Sequence, residues 1–158
     1  FAKLFEGNWH RGMRAKLGLF NEEEQDETLI KNLLELMQKY RADFTNTFRA
    51  LTLDKIDDTE LAQKEEFQAW YQDWQTRLEK QGRSKVDVHE LMKKSNPAVI
   101  PRNHLVEEAL EAAESGDLTI LGKLLDVLSD PFAYKGEQEM YCKLPENPDE
   151  NYRTFCGT

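Results

Sequence analysis

Ser95-Asn96-Pro97-Ala98-Val99-Ile100-Pro101-Arg102-Asn103-His104-Leu105 is the stretch on which the fold turns. Proline disfavours helical angles in the residue before it, so Pro97 and Pro101 predict an extended run from Asn96 to Pro101. A helix follows, with Asn103 as its expected cap. Leu105, Ala109, Leu110, Ala112 and Ala113 recur at helical spacing, while Glu107, Glu108, Glu111 and Glu114 keep the other face wet. Gly116 supplies the left-handed angle that stops this helix, and Asp117 the cap of the next. That second helix carries Leu118, Ile120, Leu121, Leu124, Leu125 and Leu128 and ends at Pro131. The expectation is a helical hairpin entered by a stiff, proline-fixed arm.

The chain on the N-terminal side of the arm also reads as helix. Leu4, Phe5, Trp9, Met13 and Leu17 mark a first helix over 2–17, which Gly7 and Gly12 weaken enough that it needs a partner surface, and Gly18 ends it. Asn21 and Glu24 stand at capping-box spacing. Leu29, Ile30, Leu33, Leu34, Leu36, Met37 and Tyr40 then form a wide apolar face, with a break expected near Asp43 before Phe44, Phe48 and Leu51 continue it. Residues 54–59 read as an acidic solvated loop, lacking the alternating ligands, central Gly and closing Glu of a calcium loop. A helix over 60–81 carries the stripe Leu61, Phe67, Trp70, Tyr71, Trp74 and Leu78, which the acidity of the chain assigns to core rather than to base stacking. Gly82 closes it, Ser84 to Asp87 read as a polar turn, and a short helix over 88–94 leads to the arm. Beyond Pro131 no period is sustained. The class is therefore all-α, a bundle of about five to seven helices over 1–131 with an irregular or extended tail over 132–158.

The 158 residues carry 21 Lys and Arg against 30 Asp and Glu, a formal charge of −9, which argues against nucleic-acid binding. His10, Arg11, Arg14 and Lys16 form a basic patch, read as an exposed helix face rather than a phosphate site. No apolar run reaches the length of a membrane span. The two cysteines, Cys142 and Cys156, are too few for a secreted disulfide framework, so a reducing, cytoplasmic setting is expected. The chain starts at Phe1 inside a helical pattern and is expected to be part of a longer protein.

Reaction chemistry is hard to find. Glycine-rich phosphate loops and Gly-Lys-Ser/Thr runs are absent from the sequence, and His10, His89 and His104 stand far apart without zinc-ligand spacing. His104 reads as a structural histidine. Arg102, at a helix start, suits pairing with a carboxylate of another helix, with an external phosphate as the alternative. No catalytic, cofactor-binding or metal-binding residue is assigned within the chain.

Taken together, Asn96-Pro97, Ile100, Arg102-Asn103-His104-Leu105, the alanine-rich helix, Gly116-Asp117 and the leucine-rich helix ending at Asp130-Pro131 resemble the C-terminal part of the selenoprotein O family. Gly12-Met13-Arg14-Ala15-Lys16-Leu17-Gly18-Leu19 and Tyr152-Arg153-Thr154-Phe155-Cys156-Gly157-Thr158 fit the same family in the same order. Its members are kinase-like enzymes that transfer AMP from ATP to protein side chains. The resemblance implies a parent that binds ATP with Mg or Mn and modifies Ser, Thr or Tyr of protein substrates, with catalytic residues upstream and these helices bracing the kinase-like region. It places Cys156 where the family has selenocysteine or cysteine, implying a redox-capable thiol able to pair with that region. A Cys142–Cys156 disulfide and a free exposed thiol are the alternatives. A cytoplasmic location is expected, or a mitochondrial one in a eukaryote. The competing class is a helical interaction module of the ankyrin or tetratricopeptide hairpin type, although the sequence holds no second copy at a fixed period.

Overall fold

The computed structural model describes residues 2–145, among which there are seven α-helices and no strand. The expectations for Cys156 and for the rest of 146–158 lie outside the described residues. Two compact units meet in sequence between Ala98 and Val99, within the proline arm.

The first unit contains α1 (Ala2–Lys16), α2 (Asp26–Lys39), α3 (Phe44–Thr52), α4 (Glu65–Lys80) and α5 (Lys85–Ser95). Helix α2 packs along α4, α1 against α5 and α2, and α3 against α5. Leu17, Ile30, Leu33, Phe48 and Phe67 lie at the centre with at most 1% of their surface exposed. Each such side chain contributes roughly 1.5–3 kcal/mol by leaving water. The glycine-weakened α1 finds its partner surface at its C-terminal end, where Met13 and Leu17 are buried, whereas Leu4, Phe5 and Trp9 remain exposed.

The aromatic stripe is core, as its spacing predicts. Phe67, Trp70 and Trp74 are buried, and both indoles are satisfied: Trp70 Nε1–H donates to the Leu29 carbonyl at 2.8 Å and Trp74 Nε1–H to the Leu17 carbonyl at 3.0 Å. Each bond ties α4 to a different neighbour. The break near Asp43 is also present: Arg41 adopts φ +51°, and Asp43 accepts the Asn46 N–H at 2.8 Å to start α3.

Three helix starts in the first unit differ from expectation. Asn21 and Glu24 do not open α2, because Asp26 does so further along the chain: its carboxylate accepts the Glu23 N–H at 2.9 Å while bonding Arg77. Helix α4 begins at Glu65 rather than Glu60, because the chain first makes two 3-10 turns, Ile56–Asp58 and Glu60–Gln63, that bury Ile56 and Leu61. Helix α5 starts at Lys85, three residues early, because the Ser84 hydroxyl accepts the Asp87 N–H and donates to the Asp87 carboxylate.

The second unit holds the hairpin α6 (Asn103–Glu114) and α7 (Thr119–Leu128) and a 3-10 segment, Gly136–Cys142. The hairpin turns where expected, at Gly116 with φ +89°, but the cap position of α7 falls on Leu118, and Asp117 just before it accepts the Thr119 N–H at 2.9 Å. Asn103, however, is the first residue inside α6, and the cap position falls on Arg102. The described part of the tail, residues 132–145, is also less irregular than its composition suggests. Buried Gln138 donates through Nε2 to the Val127 and Asp130 carbonyls and accepts the Lys135 N–H, which folds residues 135–142 back onto the end of α7.

Candidate functional site

The arm is anchored before it leaves the first unit. Asn96 is completely buried; its Nδ2 donates to the Lys16 carbonyl at 2.9 Å and to the Thr52 hydroxyl at 3.0 Å. The Thr52 hydroxyl in turn donates to the Phe48 carbonyl at 2.7 Å, so the amide joins the ends of α1, α3 and α5. Lys16 completes the knot. Its Nζ donates to the Ser95 carbonyl at 3.0 Å and to Asn96 Oδ1 at 3.4 Å and lies over the Phe48 ring, 5.5 Å from its centre. Burial pushes the Lys16 ammonium below the usual lysine range.

That position corrects the reading of the basic patch. Lys16 is half-buried and spent on the α5 end, Arg14 pairs with Glu22 at 3.1 Å, and Arg11 donates to Asn8. The three cations therefore do separate local work and do not converge on one anion.

A second polar knot lies under α2 and α4. Arg77 and Asp26 are each 2% exposed at the side chain and meet at 2.7 Å through Nε and 3.2 Å through Nη2, while Nη2 also donates to the Asn21 carbonyl. This forked contact locks the loop before α2 onto α4. Two open grooves flank these helices. One, about 370 Å³, is lined by Glu35, Glu66 and Asp73 with Lys39, which Glu66 holds at 2.6 Å; the other, about 280 Å³, lies beside Thr28, Asp73, Thr76 and Lys80. Acids outnumber the cation in the first groove, which makes it a poor seat for a phosphate.

The remaining candidates stay dispersed. His10 is on α1, His89 on α5 and His104 on α6, and no group of three or more His, Cys, Asp or Glu with metal-holding geometry occurs among the described residues. Cys142 is buried, its thiol donating to the Gln138 carbonyl at 3.2 Å. No helix among the described residues is long and apolar enough to cross a membrane.

What the geometry offers is a scaffold in which one arm is held rigidly at its root. A family model described as protein adenylyltransferase SelO matches residues 1–129, which includes the whole anchored arm and the hairpin through α7. The chain belongs to the SelO family. Among curated relatives, the protein nucleotidyltransferase YdiU of Clostridium botulinum is 60% identical over 159 residues, covering 100% of this chain and 32% of the relative. YdiU of Bacillus thuringiensis subsp. konkukian is 55% identical over 159 residues, and that of Clostridium beijerinckii 57% over 158. This SelO-family chain thus spans about a third of the length of the curated relatives it matches, as its C-terminal region.

The sequence of this SelO-family chain marks the arm, but neither the anchor of the arm nor the buried pair under α2 and α4. Asn96 is visible as a residue of the extended run, yet nothing local says that its amide reaches Lys16 and Thr52. The Asp26–Arg77 pair leaves one trace, an arginine at position 77 inside the otherwise apolar stripe Phe67, Trp70, Trp74 and Leu78. A cation on a core-facing stripe implies a buried carboxylate somewhere else in the chain.

Proposed function

We propose that this chain is the non-catalytic helical C-terminal region of a protein adenylyltransferase, bracing a kinase-like catalytic region of the same polypeptide. The observation that supports it most directly is the combination of family and extent: a SelO-family segment that spans about a third of its relatives. The whole protein would bind ATP with Mg or Mn outside this segment and transfer AMP to Ser, Thr or Tyr hydroxyls of protein substrates. The rigid root at Asn96 and Lys16 suits a brace, since it fixes the arm by hydrogen bonds from three helix ends. Cys156 would serve as a redox-capable thiol directed at the catalytic region, in a cytoplasmic protein.

The test is AMP transfer from labelled ATP to a protein acceptor in the presence of Mg or Mn. The full-length protein is expected to label the acceptor, and the 158-residue segment alone to leave it unlabelled. Labelling by the segment would overturn the division of roles. Thiol titration of the full-length protein with and without reductant tests Cys156, which is expected to react only after reduction.

A further inference from the structure

Helix α7 is the most apolar of the seven described helices, yet Leu124 is its one buried residue. Leu118, at its N-cap, and Leu125 are 65% and 59% exposed. They are seven positions apart, so they stand on the same side of the helix, two turns or about 10 Å apart. Gly122 lies between them on that side, and a Cβ built there would meet nothing within 4 Å. Its φ is ordinary, so no turn requires glycine. Glycine inside a helix is destabilising relative to alanine, and here no contact within the described structure compensates. A helix face with a bare backbone between two exposed leucines is shaped for close approach by another apolar element.

We infer that the Leu118–Gly122–Leu125 face of α7 is the seat of an apolar element from the part of the polypeptide that lies outside this chain. The inference rests on the reading that the chain is one region of a longer SelO-family protein, and it names where the rest docks. About two thirds of each matched relative's length lies outside the match, which supplies ample chain to cover the face. A second copy fits less well. A stable interface between separate molecules buries about 800 Å² on each partner, far more than two leucines and a glycine offer. A tethered partner needs less area, because the linking chain raises its effective concentration.

The test uses the full-length protein carrying Leu125→Cys, labelled with a maleimide and read by peptide mass mapping, with Glu107→Cys on the exposed side of α6 as reference. Docking predicts that the thiol introduced at position 125 is labelled at least about tenfold more slowly, since labelling proceeds only through the undocked population. In a second variant, Leu118→p-benzoylphenylalanine, photo-crosslinks are expected in the monomer, to peptides outside the 158 residues. Equal labelling rates, crosslinks joining two copies, or crosslinks confined to residues 1–158 would each overturn the inference. AMP transfer by the unmodified protein separates the two readings. Transfer without crosslinks would remove the docking face alone, and crosslinks without transfer would remove the proposed activity alone.

Discussion

The side-chain amide of Asn96 donates to the Lys16 carbonyl at 2.9 Å across 80 residues of chain, closing the first helical unit on itself at the root of the proline arm. The bond satisfies a carbonyl at the end of α1 that has no helical partner. Asn96→Ala would leave that carbonyl and the Thr52 hydroxyl with one partner fewer in a dry site. A loss of about 2–4 kcal/mol is expected, combining the missing bonds and the cavity. Asn96→Asp should be at least as costly, because a carboxylate has no N–H for the Lys16 carbonyl. Urea titration followed by Trp70 and Trp74 fluorescence measures both, with Asn103→Ala, exposed at the start of α6, expected to change little.

The Asp26–Arg77 pair makes a prediction of a different form. Breaking a buried pair from one side strands the other charge, so Arg77→Met and Asp26→Leu should each destabilise by about 3–5 kcal/mol. The double variant should recover a large part of that loss, since two apolar side chains of similar volume replace both charges. A double-mutant cycle in urea gives the coupling; simple additivity would show that the two side chains do not act as a pair.

Particular residues show what is legible in the sequence and what is not. The glycine stops at 18, 82 and 116, the break at Asp43 and the core stripe through Phe67, Trp70 and Trp74 are local or periodic features, carried by backbone freedom and by spacing. Helix starts escape where the capping group is claimed from a distance. Asp26 serves Arg77, 51 residues away, and the helix begins where that pair fixes it rather than where Asn21 and Glu24 suggest. Ser84 and Asp87 are different: their capping contact is local and legible, although the stretch also reads as a polar turn. Lys16 looks like one more exposed cation on α1 because its acceptors, Ser95 and Asn96, lie about 80 residues further on at the end of α5. In the tail, the turn at Gln138 depends on carbonyls freed by the end of α7, a relation without any periodic trace.

Gly18 and Gly82 both sit at left-handed angles, φ +73° and +66°, and separate backbone strain from crowding. A Cβ at position 18 would lie 2.6 Å from Val88 Cγ1 and 3.2 Å from Met92 Cγ, whereas one at 82 would meet nothing within 4 Å. Gly82→Ala therefore carries the conformational cost alone, about 1–2 kcal/mol. Gly18→Ala adds a clash with a packed α5 and is expected to be worse by about a further 1–3 kcal/mol. Thermal denaturation of the two variants side by side checks the order. A Gly18→Ala, Val88→Ala double variant should regain part of the crowding term and none of the conformational one.

Acid sensitivity follows from three carboxylates, Glu66 and Asp117 exposed and Glu23 partly buried. Hydrogen bonds from Lys80, from Lys39 with Tyr40, and from Thr119 hold Glu23, Glu66 and Asp117 below their ordinary values. The folded chain therefore binds fewer protons than the unfolded chain as these groups titrate. Their contribution is complete above the unfolded values, 4.5 for the glutamates and 3.8 for the aspartate, and is lost as pH falls through the lower folded values. The urea midpoint should change little through these groups between about pH 7 and pH 5 and decline below about pH 4.5. At the alkaline end the lysines oppose each other. Lys39, raised chiefly by its bond to Glu66, loses its contribution as pH climbs through its folded value, while Lys16, lowered by burial, relieves a penalty between its folded value and 10.5. Glu66→Gln should lessen the acid decline and remove the alkaline loss from Lys39, leaving the gain from Lys16 opposed by Tyr71, whose phenol burial holds above 10.0 and which therefore costs stability as pH climbs past that value. Added salt should weaken the Glu23 and Glu66 terms by screening their lysines, yet leave the Asp117 term, which is a local hydrogen bond to Thr119.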